Sequence, residues 1–504
     1  MSSRCQWIAV IAGSLLSLGL LWFAQAPLGI AGEWTWNRIA HPDVRESVAN
    51  FAFFLPVGLL WLGVTFKLGS LIAKMGMKRT VLAVAGLVLL SFLFLTCLQS
   101  VPPSPIPQNK GWVLYYPHSS GYFHKARYEM EDTEKFLSGY EALMAEGDVG
   151  HIGTHPPGLF LMHRAAIEVC EALPRLTNAL LAVLPGSLED SFAILADNLQ
   201  TKQIVLTQSD RAALWLMILL TQFVAALTIV PLFLLLNETL GNRLAWYIAA
   251  CWPLIPALSI FSPKSDLLFP LLSLSFLWLW VKAHRSHSVA FGSIAGVVFW
   301  LGSFVSLAMV PSAVIAGVYS LQKFFQKSDS NSVRQQIGLT IGSSLVAFGL
   351  PCLWMWLAYD LNLANVWWWN YRNHAAFYAP ENFPRTWWKW LLANPVETLF
   401  AAGVPLFYFG VRGLCRSLRD RTDLGMLLSS AALAWGLIWL SGKNSGEAAR
   451  LWIVFFPWLC LGAGFFLKPE QTEDSSNERE LRILIVVQLV VCLTTITRVS
   501  GFHF

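Results

Sequence analysis

Two histidines, a threonine and a double proline interrupt an apolar chain in the stretch EGDVGHIGTHPPGLFLMHR, residues 146–164. The side chains of His151, Thr154 and His155 can all hydrogen-bond a polar ligand. A residue before proline is driven out of the α conformation, so His155 is predicted to be extended, with a helix starting at Gly158 or Leu159. Irregular polar backbone at membrane depth persists only where it lines a cavity or faces water. The stretch therefore predicts a rigid corner that presents polar groups to a cavity.

The same stretch contains residue types that bind divalent metals, because His151 and His155 follow Asp148 closely. The double proline, however, breaks the helix that would align the two histidines. We therefore predict no metal ligand and no certain cofactor, and a divalent metal ion is left open. The eight cysteines are scattered without CxxC or zinc spacing, and we expect them to be small core residues.

Two short segments place charged residues at the ends of apolar runs. SPKSD contains Lys264 and Asp266, and SGKNSGEAAR contains Lys443, Glu447 and Arg450. A charge at the start of a membrane span is costly unless it pairs, faces a cavity or snorkels to the interface. Arginine can hold a phosphate with two parallel hydrogen bonds, and a carboxylate can orient it. The predicted substrate-binding residues are His151, Thr154, His155, Lys264, Asp266, Arg372, Lys443, Glu447 and Arg450.

The composition predicts an all-α polytopic membrane protein. Of 504 residues, 55% are apolar and 13% charged, whereas soluble domains have about 25% charged residues. The net charge of +5 requires no nucleic acid as a partner, because the basic residues fall mainly between apolar runs. About thirteen runs are long enough to span a bilayer. They are 7–26, 48–66, 80–98, 211–236, 244–261, 265–281, 288–302, 304–321, 336–359, 395–411, 424–440, 449–467 and 481–497.

Basic residues predict the orientation. They concentrate in the loops 67–79, 323–334 and 412–421, which a cytoplasmic N-terminus places inside. The long segment 99–210 then lies on the non-cytoplasmic face of a plasma (inner) membrane. We expect it to form two or three juxtamembrane helices packed on the bundle, including one over 122–146 and one in the interface over 159–184.

Tryptophan clusters flank the same face. VWWWNY at 366–371 and WWKW at 387–390 lie at the outer edges of spans, in a chain with 24 tryptophans. Such clusters are typical of an aromatic belt at the membrane interface. A platform on which a sugar or a polyprenyl chain stacks is the alternative, and both interpretations stay open.

The order of motifs in the outer loop resembles the GT-C superfamily of membrane glycosyltransferases, which includes protein O-mannosyltransferases and lipid A aminoarabinose transferases. The family pattern is an acid pair, an aromatic residue, GD, and then HPPL or KPPL. Here the order is Asp132, Phe136, Gly147–Asp148 and the HPPG turn of 155–158. The second acid is replaced by Thr133, so the resemblance carries over Asp132 alone as the catalytic carboxylate. It covers about 30 residues.

The resemblance implies a GT-C-like bundle of about thirteen helices with a large first external loop. Residues 1–79 would add two N-terminal helices, 80–467 would form the catalytic bundle, and 468–504 a cytoplasmic linker and the last helix. Thr154 and His155 are then expected to face the cavity that contains Asp132, with Phe136 and Tyr140 packed below it.

The implied activity moves a hexosyl or pentosyl group from a polyprenyl-phosphate donor to a lipid, glycan or protein acceptor on the non-cytoplasmic face. One carboxylate suffices to activate an acceptor hydroxyl, so we expect inversion at the sugar carbon. A transporter or flippase of lipid-linked sugars would need ionisable residues deep inside spans, whereas the charges here fall mostly at their ends. A non-catalytic assembly subunit and an enzyme similar to an O-antigen ligase or polymerase are further alternatives.

Overall fold

The computed structural model describes residues 3–24, 27–39, 42–326, 330–379, 382–468 and 474–502. Eight helices in these ranges are long and apolar enough to cross a membrane, or ten if two sharply bent helix pairs each count as one span. The chain is thus a helical multi-pass membrane protein, as the composition predicts. Three parts of the sequence predictions lie outside the described residues. They are the predicted end of the first run at residue 26, the basic residue Lys327 and the linker residues 469–473.

Each of the thirteen predicted runs contains helix, but several are divided. The run 244–261 is split into two short helices, Asn242–Ala250 and Pro256–Ile260, and a 3₁₀ turn between them, with Pro253 and Pro256 at the breaks. The run around 395–411 is bent by 119° between Trp387–Ala402 and Val404–Ser417, at Gly403. Gly403 has φ 85°, a left-handed conformation that glycine adopts without strain. Divided runs such as these do not form one long helix and so are not among the eight.

The first part of the chain forms three membrane-crossing helices and a hairpin. The helices are α1 Ser3–Phe23, α2 Val44–Leu71 and α3 Met77–Leu98. The hairpin strands are β1 Leu28–Ile30 and β2 Trp34–Arg38, and β3 Val499–Ser500 pairs antiparallel with β2. Three short strands therefore add a small sheet to the predicted fold. Because β2 pairs with both other strands, this sheet joins the two ends of the described chain.

The segment 99–207 is a layer of short helices between α3 and the helix Gln208–Leu227. They are α4 Asn109–Tyr115, α5 Tyr122–Tyr128, α6 Thr133–Ser138, α7 Tyr140–Ala145, α8 Gly158–Ala172, α9 Pro174–Ala182 and α10 Gly186–Gln200. The predicted continuous helix over 122–146 is wrong. Asp132 is extended and caps α6, and Gly139 separates α6 from α7, so the chain turns twice. Pro174 likewise divides the predicted interface helix into α8 and α9.

The remaining helices form a bundle that packs against this layer. They are α11 Gln208–Leu227, α12 Ile229–Leu240, α13 Asn242–Ala250, α14 Pro256–Ile260, α15 Phe269–Ser286, α16 Val289–Val305, α17 Val310–Phe325, α18 Ser330–Tyr359, α19 Leu363–Ala376, α20 Trp387–Ala402, α21 Val404–Ser417, α22 Asp423–Ser441, α23 Ala448–Leu451, α24 Phe456–Phe466 and α25 Asp474–Ile496. Short 3₁₀ turns cover 72–74, 152–154, 252–254, 265–267, 307–309 and 453–455. The turns at 152–154 and 265–267 and the helix α23 carry the polar residues described below.

Candidate functional site

The corner predicted from HPPG is present. His155 is extended, with φ −124° and ψ 145°, and α8 begins at Gly158. Neighbouring helices hold it in place: Tyr140 Oη donates to the His155 carbonyl at 2.7 Å, and Asn373 Nδ2 donates to the Gly153 carbonyl at 2.8 Å. These bonds involve backbone oxygens, so they set the position of the turn and leave its side chains available.

The His155 ring is neutral at physiological pH, because burial lowers its pKa to about 4. Its Nδ1 lies 3.0 Å from the His151 carbonyl and 3.0 Å from Thr154 Oγ1. A carbonyl can only accept, so Nδ1 carries the hydrogen and Nε2 is the acceptor. The neutral ring therefore offers no positive charge to a phosphate. It closes the turn and can accept one hydrogen bond.

A compact group of charges lies beside this corner. Arg450 Nη2 donates to Glu447 Oε2 at 2.7 Å, and Arg450 Nε is 4.0 Å from Asp266 Oδ2. Lys264 Nζ donates to the Ser119 carbonyl and to Ser120 Oγ. We call Lys264, Asp266, Glu447 and Arg450 the charge cluster. It brings together the SPKSD and SGKNSGEAAR segments, which lie almost 180 residues apart in the sequence.

The charge cluster combines two cationic with two anionic side chains, which influence the pKa of both cations. Burial and the nearby Arg450 guanidinium lower the pKa of Lys264 to about 7, while the carboxylates of Glu447 and Asp266 help to keep the pKa of Arg450 raised. Arg450 is therefore always charged, and Lys264 gains its proton readily when a negative group approaches. Glu447 has φ 58°, a left-handed conformation that is uncommon for a residue with a side chain. Such conformations concentrate at functional sites.

Two cavities adjoin the charge cluster. The apolar cavity, of ≈ 360 Å³, has aliphatic and aromatic walls from α15, α17, α22 and the 453–455 turn and a polar end. That polar end is formed by Thr154, His155, Asp266, Tyr371, His374, Lys443 and Asn444. The polar cavity, of ≈ 470 Å³, is lined by the other three residues of the charge cluster. Its lining includes Trp34, Trp36, Asn109, Trp112, Tyr116, His118, His151, Lys264, Phe377, Phe383, Glu447, Arg450 and Phe502.

Eight of the nine predicted substrate-binding residues thus line one of the two cavities. Thr154, His155, Asp266 and Lys443 line the apolar cavity. His151, Lys264, Glu447 and Arg450 line the polar cavity. The exception is Arg372, which is exposed and stacks its guanidinium over Trp369, 5.0 Å from the ring centroid.

Asp132 lines neither cavity. It is exposed, accepts a hydrogen bond from Lys135 N at 3.0 Å, and lines a separate surface cavity of ≈ 390 Å³ with Lys125 and Glu129. The expectation that Asp132 shares a cavity with Thr154 and His155 is therefore wrong. The reason is local. Phe136 and Tyr140 turn inward and pack on Phe160, and their ring centroids lie 5.7 and 5.8 Å from that of Phe160. This packing leaves the N-cap residue Asp132 facing outward.

Several residues of the site were missed by sequence reasoning. Asn370 and Asn373, which hold the corner from α19, have no sequence signal beyond their position between tryptophan clusters. Glu397, in contrast, had a sequence signal. It is an acid within the predicted span 395–411, and ionisable residues inside spans are usually functional. It is buried and accepts from Ala449 N at 3.4 Å, next to Arg450.

No group of three or more His, Cys, Asp or Glu residues with metal-site geometry is found within the described ranges. At the corner, Asp148 Oδ1 accepts from Gly150 N at 2.6 Å and His155 Nδ1 closes the turn, so both side chains have a structural role there.

No family model and no curated protein matches the sequence. Among solved structures, the chain is similar to the oligosaccharyltransferase of Archaeoglobus fulgidus, whose crystal structure is a complex with zinc and sulfate. The match has 13% identity and a TM-score of 0.41, and it covers 73% of this chain and 49% of that chain. At this identity and score the likeness assigns neither an activity nor a site to this chain.

Proposed function

We propose that this chain is an integral-membrane glycosyltransferase that takes a sugar from a polyprenyl-phosphate donor and transfers it to an acceptor on the non-cytoplasmic face. The observation that carries the proposal is the charge cluster, whose residues line both an apolar cavity and a polar cavity. A donor of this kind has three parts with different needs: an apolar chain, an anionic phosphate and a hydroxylated sugar. The apolar cavity suits the chain and the charge cluster suits the phosphate, so the sugar would lie at the cluster, where the polar cavity begins.

The isoprenoid chain would occupy the apolar cavity between α15, α17 and α22. Residues such as Val314, Leu437 and Val454 form its walls, so chain burial would exclude water from them. Lys443 lies at the polar end of the same cavity, with Nζ 4.4 Å from the centroid of the Tyr371 ring. A phosphate placed there would meet Lys443 first and the charge cluster next.

Arg450 is the principal phosphate ligand in this proposal. Its side chain is 13% exposed, and its Nε makes no hydrogen bond within the described residues although Nη2 is bonded to Glu447. Glu447 would hold the guanidinium in place while the remaining N–H groups grip the phosphate oxygens. Lys264 would add a second positive charge, because an approaching phosphate favours its protonated form.

We assign the base to Asp266 in place of the sequence-predicted Asp132. Asp266 lines the apolar cavity at its polar end and is 4.0 Å from Arg450 Nε, so its carboxylate can reach a sugar attached to the bound phosphate. Asp132 already accepts a backbone hydrogen bond and opens to solvent elsewhere. A general base must lie within hydrogen-bond reach of the proton that it takes.

The reaction would proceed in one displacement. The acceptor oxygen attacks the anomeric carbon as Asp266 takes the hydroxyl proton, and the bond from that carbon to the phosphate oxygen breaks. The leaving polyprenyl phosphate takes the bonding electron pair and is held by Arg450 and Lys264. A single attack from the face opposite the leaving group inverts the sugar carbon. The bundle of 80–467 would supply the donor side, with 1–79 and 468–504 adding walls to the polar cavity.

The test is release of polyprenyl phosphate from short-chain polyprenyl-phosphate hexoses and pentoses by purified protein in nanodiscs. Asp266→Asn should lower the turnover by roughly 10²–10⁴-fold, the range for loss of a general base. Glu131→Gln, an exposed acid outside both cavities, is the matched control and should retain full turnover.

Asp132→Asn separates the two assignments of the base. Turnover close to that of the wild type supports Asp266, whereas a loss as large as that of Asp266→Asn would return the role to Asp132. If the wild-type protein moves these lipids across the bilayer without cleaving them, the protein is a flippase and the proposal fails.

A further inference from the structure

Asn109 stands out among the residues that line the polar cavity. Its side chain is 1% exposed, and neither Nδ2 nor Oδ1 has a hydrogen-bond partner within the described part of the chain. A buried polar atom without a partner lowers stability, so an amide with both atoms unpaired needs an explanation. The amide has one donor group and one acceptor group to offer to a molecule that enters the cavity.

The walls around Asn109 are aromatic. Trp34, Trp112, Tyr116 and Phe383 line the same cavity, and each keeps part of its surface accessible. Trp112 is held by a hydrogen bond from Nε1 to the Ser191 carbonyl at 3.1 Å. Aromatic faces set by such contacts offer flat apolar surfaces next to a few directed polar groups, which is typical of a small-molecule site.

We propose that the polar cavity binds the acceptor and that this acceptor is a saccharide. This inference rests on the proposed function and adds the chemical class of its second substrate. A sugar ring combines apolar C–H faces, which stack on aromatic rings, with hydroxyl groups around its edge. Each hydroxyl both donates and accepts, so two neighbouring hydroxyls satisfy Asn109 Oδ1 and Nδ2 together.

The position of the cavity fits this role. Arg450 and Lys264 line the same cavity as the aromatic rings, so a saccharide stacked on those rings would lie close to the charge cluster. A lipid acceptor would favour an apolar lining, which is what the donor cavity provides. A peptide could pair one amide group with Asn109, but its backbone has no apolar face to stack on the rings, so we infer a saccharide.

The test measures saccharide binding without any donor. Saturation-transfer NMR with gluco-, manno- and galacto-configured disaccharides and their N-acetylated forms should detect binding to the wild-type protein in nanodiscs. Asn109→Leu keeps the side-chain volume and removes both unpaired atoms, so it should weaken binding by about tenfold while leaving the melting temperature equal or higher. Asn365→Leu, the same change at an exposed position, should not alter binding.

The outcomes distinguish this inference from the proposed function. Weaker saccharide binding by Asn109→Leu at an equal or higher melting temperature supports the assignment, because a misfolded variant would have a lower melting temperature. Failure of all the disaccharides to bind, equal binding by Asn109→Leu, or binding of a serine- and threonine-containing peptide in their place would overturn it. Release of polyprenyl phosphate to water by the same preparation would still support the donor side.

Discussion

Replacing Arg450 by alanine should weaken the binding of a polyprenyl-phosphate sugar by about 30- to 100-fold. The side chain is 13% exposed and lies between two carboxylates, at 2.7 Å from Glu447 and 4.0 Å from Asp266. Truncating one partner of a buried, hydrogen-bonded charge pair costs about 2–5 kcal/mol. Because Lys264 and Lys443 remain to hold the phosphate, the lower part of this range applies. At 1.4 kcal/mol for each factor of ten, about 2–2.8 kcal/mol corresponds to the expected change in Kd.

The assay is titration of a fluorescent polyprenyl-phosphate sugar into protein in nanodiscs, followed by anisotropy. Arg450→Ala also leaves Glu447 without its cation, and this carboxylate could repel the phosphate. The double variant Glu447→Gln/Arg450→Ala removes that repulsion and should still bind weakly. Arg450→Lys should recover part of the affinity, since a point charge cannot hold two oxygens as a guanidinium does. Arg175→Ala, at an exposed position, is the control. A Kd for Arg450→Ala within threefold of the wild-type value would refute the assignment.

Three other predictions follow from the same structure. The Kd for a phosphodiester donor should rise as the pH increases from 6 to 9, because Lys264, with its pKa lowered to about 7, loses its proton in this range. Lys264→Met should bind the donor more weakly and lose most of the pH dependence of Kd. Tyr140→Phe removes the 2.7 Å hydrogen bond to the His155 carbonyl and should lower the free energy of unfolding in denaturant titrations by about 1 kcal/mol; an unchanged value would mean that the corner does not depend on this bond. Glu131→Cys should react with a membrane-impermeant maleimide added outside cells, whereas the native, exposed Cys415 should not; labelling of both from one side would contradict the orientation.

The corner at His155 could be predicted because its cause is local. Proline restricts the residue before it, and this rule alone predicts the extended His155 and the helix that follows. The convergence of Lys264 and Asp266 with Glu447 and Arg450 was predictable in part. A membrane confines the ends of spans to two surfaces, so charges at ends on the same side are brought to a similar depth. Which of these ends touch depends on helix packing, and no pattern within one segment contains that information.

The placement of Asp132 shows where a motif outweighed a local signal. Asp followed by Thr133 and Glu134 is typical of a helix N-terminus, because the aspartate accepts a backbone hydrogen bond and the glutamate lies in the first turn. That signal predicts a new helix at 133 in place of a continuous one from 122. The polar cavity could not have been predicted, since Trp36, Asn109 and Phe502 meet only through tertiary contacts.

The small sheet sets an order in which the two halves of the site can form during synthesis. Asn37 and Phe502 are hydrogen-bonded across 465 residues, so β2 precedes its partner β3 by almost the whole chain. At about 5–20 residues per second, the ribosome needs roughly 25 to 95 seconds to make that interval. For this time one edge of β2 has no strand to pair with, and unpaired edges invite wrong partners. The residues of the apolar cavity all lie between 154 and 455. On the proposed assignment, a nascent chain could therefore hold a donor lipid while the polar cavity still lacked the part of its wall that Ser500, Gly501 and Phe502 supply.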